Sequence, residues 1–90
     1  MNTMSTIYDE TNVLQDRVPV TPEAITAIIS RHVNVLGYTV GENCAIKFAV
    51  EPENGIKPAI NELKNTRFKK SVRIKTDGKT TIIVELVSFG

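Results

Sequence analysis

The chain has 90 residues, 41% of them hydrophobic and 23% charged, with a net charge of +1, the balance of one soluble globular domain with a modest core. No apolar run approaches the about 18 residues a membrane span needs, and the opening MNTMSTIYDETNVLQD lacks the basic-then-apolar order of a secretory signal. Cys44 is the lone cysteine, so no internal disulfide forms, and a reducing, cytoplasmic location is expected.

Residues 1–12 are polar and without periodicity, and read as a flexible N-terminal arm; residues 13–90 read as a single α+β domain. The stretch NVLQDRVPV suits a short strand over 13–20, confined by Pro19 to a sheet edge or a strand end. TPEAITAIISRHVNVLG predicts a helix, with Thr21 as N-cap, Pro22 in the first position and Gly37 just past the end. Its apolar stripe is Ile25, Ile28, Ile29, Val33 and Leu36.

NCAIKFAVE alternates, with Ile46, Phe48 and Val50 on one face against Lys47 and Glu51 on the other, and predicts a strand. EPENG is a turn, and PAINELKNTR a second helix opened by Pro58. KKSVRIK and TTIIVELVSF predict two strands joined through TDGK. A bulged Thr76-Asp77-Gly78 loop would set Val72 opposite Ile82, whereas a two-residue Asp77-Gly78 loop would set it opposite Ile83. Only the bulged loop sorts apolar side chains to one face and Ser71, Arg73 and Lys75 to the other, so that register is expected. The architecture predicted is two-layered, with two helices on one face of a three- or four-stranded sheet ending in a C-terminal hairpin.

Charge is unevenly placed. Residues 1–55 hold three basic against seven acidic side chains, and residues 56–90 hold eight basic against three acidic. The stretch RFKKSVRIKTDGK alone contains six of the eleven basic residues: Arg67, Lys69, Lys70, Arg73, Lys75 and Lys79. Two readings compete. Such a cluster can neutralise phosphates, or it can be the wet, aggregation-resistant face of an ordinary hairpin. Ile83, Val87 and Phe89 share that outer face with the cations, which calls for a cover: the arm, a second subunit or a partner.

Other candidates carry less chemistry. His32 borders the helix stripe with no acidic partner evident in the sequence, and one imidazole makes no metal site. Cys44 opens a strand and reads as a small buried hydrophobe rather than a nucleophile. EPENG lacks the spacing of a calcium loop, and Gly37 and Gly41 lack a phosphate-loop pattern. No cofactor, no metal and no catalytic residue are expected.

Strand, helix, strand, helix, strand, strand is an order similar to the compact two-layer fold of Alba chromatin proteins and of the C-terminal domain of bacterial translation initiation factor three. The resemblance covers roughly residues 13–88 through element order and lengths. It implies a DNA or RNA ligand, dimers of the Alba type, and contacts from Lys69, Lys70, Arg73, Lys75 and Lys79.

The leading expectation is therefore a small, non-enzymatic nucleic-acid-binding or regulatory protein using the basic face of its last hairpin, with RNA and DNA not distinguished. The alternative is a protein-binding inhibitor or adaptor, of the size common among phage and mobile-element proteins. It would hold an acidic partner through Ile83, Val87 and Phe89. A homodimer is compatible with both.

Overall fold

The computed structural model describes residues 17–87. In chain order these form α1 (Pro22–Ile29), β1 (Asn34–Val40), a 3-10 turn (Glu42–Cys44), β2 (Ile46–Glu51), a second 3-10 turn (Glu53–Gly55), α2 (Ile56–Asn65), β3 (Val72–Thr76) and β4 (Thr81–Leu86). The strands make one antiparallel sheet in the order β1-β2-β4-β3. Both helices lie on one face of it, so the α+β, two-layer class read from the sequence is the fold observed.

The buried face follows the alternation in β2: Ile46, Phe48 and Val50 are buried while Lys47, Ala49 and Glu51 are exposed. They pack with Ile82 and Val84 of β4, Ile25 and Ile29 of α1, and Ile56, Ala59 and Leu63 of α2. Each fully buried large side chain contributes about 1.5–3 kcal/mol relative to exposure. α1 begins as expected: Thr21 is extended, its hydroxyl accepts from the Ala24 N–H at 3.2 Å, and Pro22 occupies the first turn. Pro58 falls in the first turn of α2, where its missing N–H has no helical partner to lose.

Four expectations are corrected. α1 stops at Ile29 rather than running to Leu36, with both the N–H and the hydroxyl of Ser30 donating to the Thr26 carbonyl. Val33 stays in the core at the foot of the helix, but Asn34 onward is strand, and Gly37 lies inside β1 rather than past a helix end. Spacing had extended the stripe through Val33 and Leu36. β-branched Val35, Thr39 and Val40 and aromatic Tyr38 instead favour the pleated strand, whose ladder to β2 decides the matter.

The strand expected over 13–20 is, among the described residues, a single parallel bridge of Val18 to Phe68, with Val18 bonded to Arg67 and Lys69. The rest of it lies outside the described residues, as does the arm over 1–12. Cys44, expected buried at a strand start, is exposed in the 3-10 turn with φ of 59°. The turn has to reverse the chain between β1 and β2, and that reversal takes the residue out of the ladder.

The hairpin register matches neither loop considered. Val72 pairs with Leu86, Ile74 with Val84 and Thr76 with Ile82, and the Asp77 N–H bonds the Thr81 carbonyl at 3.0 Å. The turn therefore spans Gly78-Lys79-Thr80, with Gly78 left-handed at φ 71°. The shift from the expected register is an even number of residues, so polarity is still sorted: Val72, Ile74, Ile82 and Val84 face the helices, and Arg73, Lys75 and Glu85 face away.

Candidate nucleic-acid interface

The helix layer is narrower than the sheet. Two helices of eight and ten residues close over β2 and β4, where Ile82 and Val84 are fully buried, but they leave the helix-facing Val72 and Ile74 of edge strand β3 only half-buried. A groove of about 490 Å³ results along the seam between α2 and β3. Leu63, Phe68, Val72 and Ile74 make its apolar floor, Thr66 and Ser71 its polar wall, and Arg17, Lys64, Lys69 and Lys70 its rim. Among the described residues, no carboxylate lines it. Beyond Lys64 the same seam continues into a second depression, floored by Ile56 and Ile60 and edged by Lys57, Lys79 and Glu53.

Local sequence explains the placement. The backbone of Val18 is bonded to Arg67 and Lys69 on either side of Phe68, and its neighbour Arg17 lines the same groove as Lys69 and Lys70. Phe68, buried at 8% exposure, anchors the connection between them. Lys57 and Lys64 lie seven residues apart on α2, hence on one helix face. That spacing is the signal in the sequence for Lys64, and Arg17 stands beside Val18; neither is among the contacts that the 67–79 basic run suggests.

The six basic residues of the 67–79 stretch do not form one surface. Lys69 and Lys70 line the groove. Arg67 is exposed in the connection ahead of β3. Arg73 and Lys75 face the open side of the sheet, where both reach the same Glu85 oxygen, at 3.5 and 3.1 Å. Lys79, at the hairpin turn, lies 4.0 Å from Glu53. Among the described residues, Arg17, Lys57, Lys64, Arg67, Lys69 and Lys70 form no ion pair within 4 Å, unlike Arg73, Lys75 and Lys79.

Of the apolar residues expected to share the cationic face, Ile83 is half-buried and is flanked across the sheet by Lys47 and Lys75. Their aliphatic stems are long enough to lie over it. Val87 is half-buried beside Ser71, whose carbonyl accepts its N–H at 3.0 Å. Phe89 lies outside the described residues. The open face of the hairpin is thus largely answered from within.

His32 does have a carboxylate partner, which sequence distance concealed. Glu62 of α2 receives His32 Nε2 at 2.6 Å and is also bonded by Arg31. The His32 hydrogen bond, against some desolvation and with help from Arg31, holds the Glu62 carboxyl below its ordinary 4.5. The trio ties the C-terminal end of α1 to the middle of α2. Cys44 lies past the far end of β1, about 20 Å away along a seven-residue strand, so His32 and Cys44 make no catalytic pair.

No helix among the described residues is long and apolar enough to cross a membrane. Comparison with protein-family models, curated proteins and solved structures finds no match.

Proposed function

We propose that the protein is a small, non-enzymatic, cytoplasmic binder of a nucleic-acid backbone, and that the seam between α2 and β3 is its contact surface. The observation that carries the reading is the rim of Arg17, Lys64, Lys69 and Lys70 around a groove with, among the described residues, no carboxylate in its lining. Cations without local counter-charges release condensed counterions from a polyphosphate when they bind it, and this term is independent of base sequence. A floor of Phe68, Val72 and Ile74 gives bases or riboses an apolar surface, though Phe68 is too buried for open stacking.

Relative to the hairpin's open face, the seam is the stronger site. At the hairpin's open face Glu85 already neutralises one of the two cations it touches. Four rim contacts predict a log–log salt slope of about −3 to −4, depending on whether the strand is single or double. Fluorescence anisotropy with single-stranded RNA and duplex DNA probes across a salt series measures it. Lys69→Glu with Lys70→Glu should weaken binding at least tenfold and flatten the slope by about 2. The same charge reversals at Arg73 and Lys75 should cost clearly less. Absence of any complex at low salt with either probe sinks the reading, and equal losses from both pairs of reversals move the site back to the hairpin face.

A further inference from the structure

The opposite edge of the sheet carries the other unfinished surface. β1 is an edge strand, paired only with β2 among the described residues. Tyr38 and Val40 lie opposite buried Phe48 and Ile46, and so point to the helix side of the sheet. No helix among the described residues covers them: they are 48% and 60% exposed, and Leu36 is 64% exposed. These three are the exposed large hydrophobic side chains of the described residues, and all stand on this one strand. From Val33 to Gly41, VNVLGYTVG, there is neither a charge nor a proline.

Natural sheets protect their edges with lysines, prolines or inward charges. β3 has that protection in Arg73 and Lys75; β1 has none beyond a bulge at Leu36, between Val35 and Gly37. The bulge interrupts only the start of the strand and leaves Gly37–Val40 regular in its ladder to β2.

We propose that β1 is the contact through which two copies of this chain pair, edge to edge and antiparallel, into one eight-stranded sheet. Neutrality is what singles out a second copy. In a strand paired with itself about a two-fold axis, every side chain near the axis meets its own kind or a close neighbour. A charged residue there would face a like charge, which destabilises directly opposed strands. A foreign strand imposes no such condition. With the axis through Thr39, Tyr38 of each copy lies beside the partner's Val40, an aromatic–β-branched pair of the kind that stabilises antiparallel ladders. The exposed helix-side side chains of the two copies would then pack side by side across the seam. One short strand per copy buries less than the about 800 Å² per partner of a standard stable interface, so the dimer is concentration-dependent. Because β3 is the far edge, both cationic grooves stay free, and the proposal stands independently of what they bind.

Sedimentation velocity on the full chain, from micromolar to millimolar concentration, should show the mass rising toward twice that of one chain. Val40→Lys, at an already exposed position, should weaken self-association at least tenfold while its circular dichroism and melting curve stay those of the parent. In the parent, amide exchange within β1 should slow as concentration rises, a readout that needs no variant. A chain that remains monomeric at millimolar concentration overturns the proposal, as does a dimer that survives Val40→Lys or a concentration effect on exchange at β3 instead of β1. Lys69→Glu with Lys70→Glu should leave the dimer unchanged.

Discussion

At the β3 edge, half-buried Val72 and Ile74 lie under a rim of cations; at the β1 edge, Tyr38 and Val40 lie open with no charge from Val33 to Gly41. Both arise from one geometric fact: two short helices cannot cover four strands. Chemistry then separates them. A cationic rim rejects its own copy and attracts a polyanion, whereas a neutral apolar edge tolerates its own copy and offers nothing to phosphate. Uncovered apolar surface therefore does not by itself name a partner. The charge around it does.

What the two edges share is the seating of the helix layer, and disturbing it should produce the largest effect. Gly55 is buried where α2 begins, and a Cβ there would stand 2.3 Å from the His32 carbonyl oxygen and 2.8 Å from the Val33 Cγ1. Neither neighbour can yield easily, since one is backbone and the other belongs to a core residue. Gly55→Ala should cost about 3 kcal/mol and lower the melting temperature by roughly 10–20 °C. Both edge functions should weaken together as the helices shift. A melting temperature within a few degrees of the parent would show that the α1–β1 corner is looser than its packing implies.

Sequence disclosed the layer and not its edges, for reasons specific to each. The α1 cap at Thr21-Pro22, the β2 alternation and the sorting of the last hairpin are local patterns, and each is present as read. Val33 and Leu36 continue the spacing of Ile25 and Ile29, so periodicity alone joined β1 to α1 and hid the neutral edge inside a helix. Only pairing with β2, a non-local event, makes Asn34–Val40 a strand. The groove was half legible. Lys69 and Lys70 stand in an obvious basic run, but Arg17 and Lys64 reach it from 52 and 5 positions before Lys69. Conversely Arg73 and Lys75 stand in the same basic run, but Glu85, ten or more residues on, pairs with both of them.

That contrast between occupied and unoccupied cations can be sharpened by removing the carboxylate. Glu85→Gln leaves the side-chain shape and releases Arg73 and Lys75 from a pair whose members are 61% and 49% exposed. Exposed pairs contribute little to stability, so the fold should change by no more than about 0.5 kcal/mol. Polyanion affinity at low salt should rise about two- to fivefold, with a slightly steeper salt slope, as one more net positive charge becomes available. Unchanged affinity would confine binding to the α2–β3 seam. A rise larger than tenfold would instead make the hairpin face the principal contact.

The smallest effect belongs to the link that sets the α1–α2 angle between the two edges. Glu62 accepts from His32 and Arg31, and its carboxyl is held below 4.5, first by the His32 hydrogen bond. A carboxyl with a depressed folded-state pKa stabilises the fold above its unfolded value, and that contribution fades as pH falls through the lower folded-state value. Stability should accordingly decline below about pH 4.5 in the parent, and this part of the decline should be missing in Glu62→Gln. Urea unfolding of both chains between pH 7 and pH 3 measures the difference. Were the two profiles parallel throughout, the Glu62 carboxylate would be as well solvated folded as unfolded. The trio would then fix geometry without contributing to stability, and the helix layer would be held over the sheet by its apolar contacts and by the close approach at Gly55.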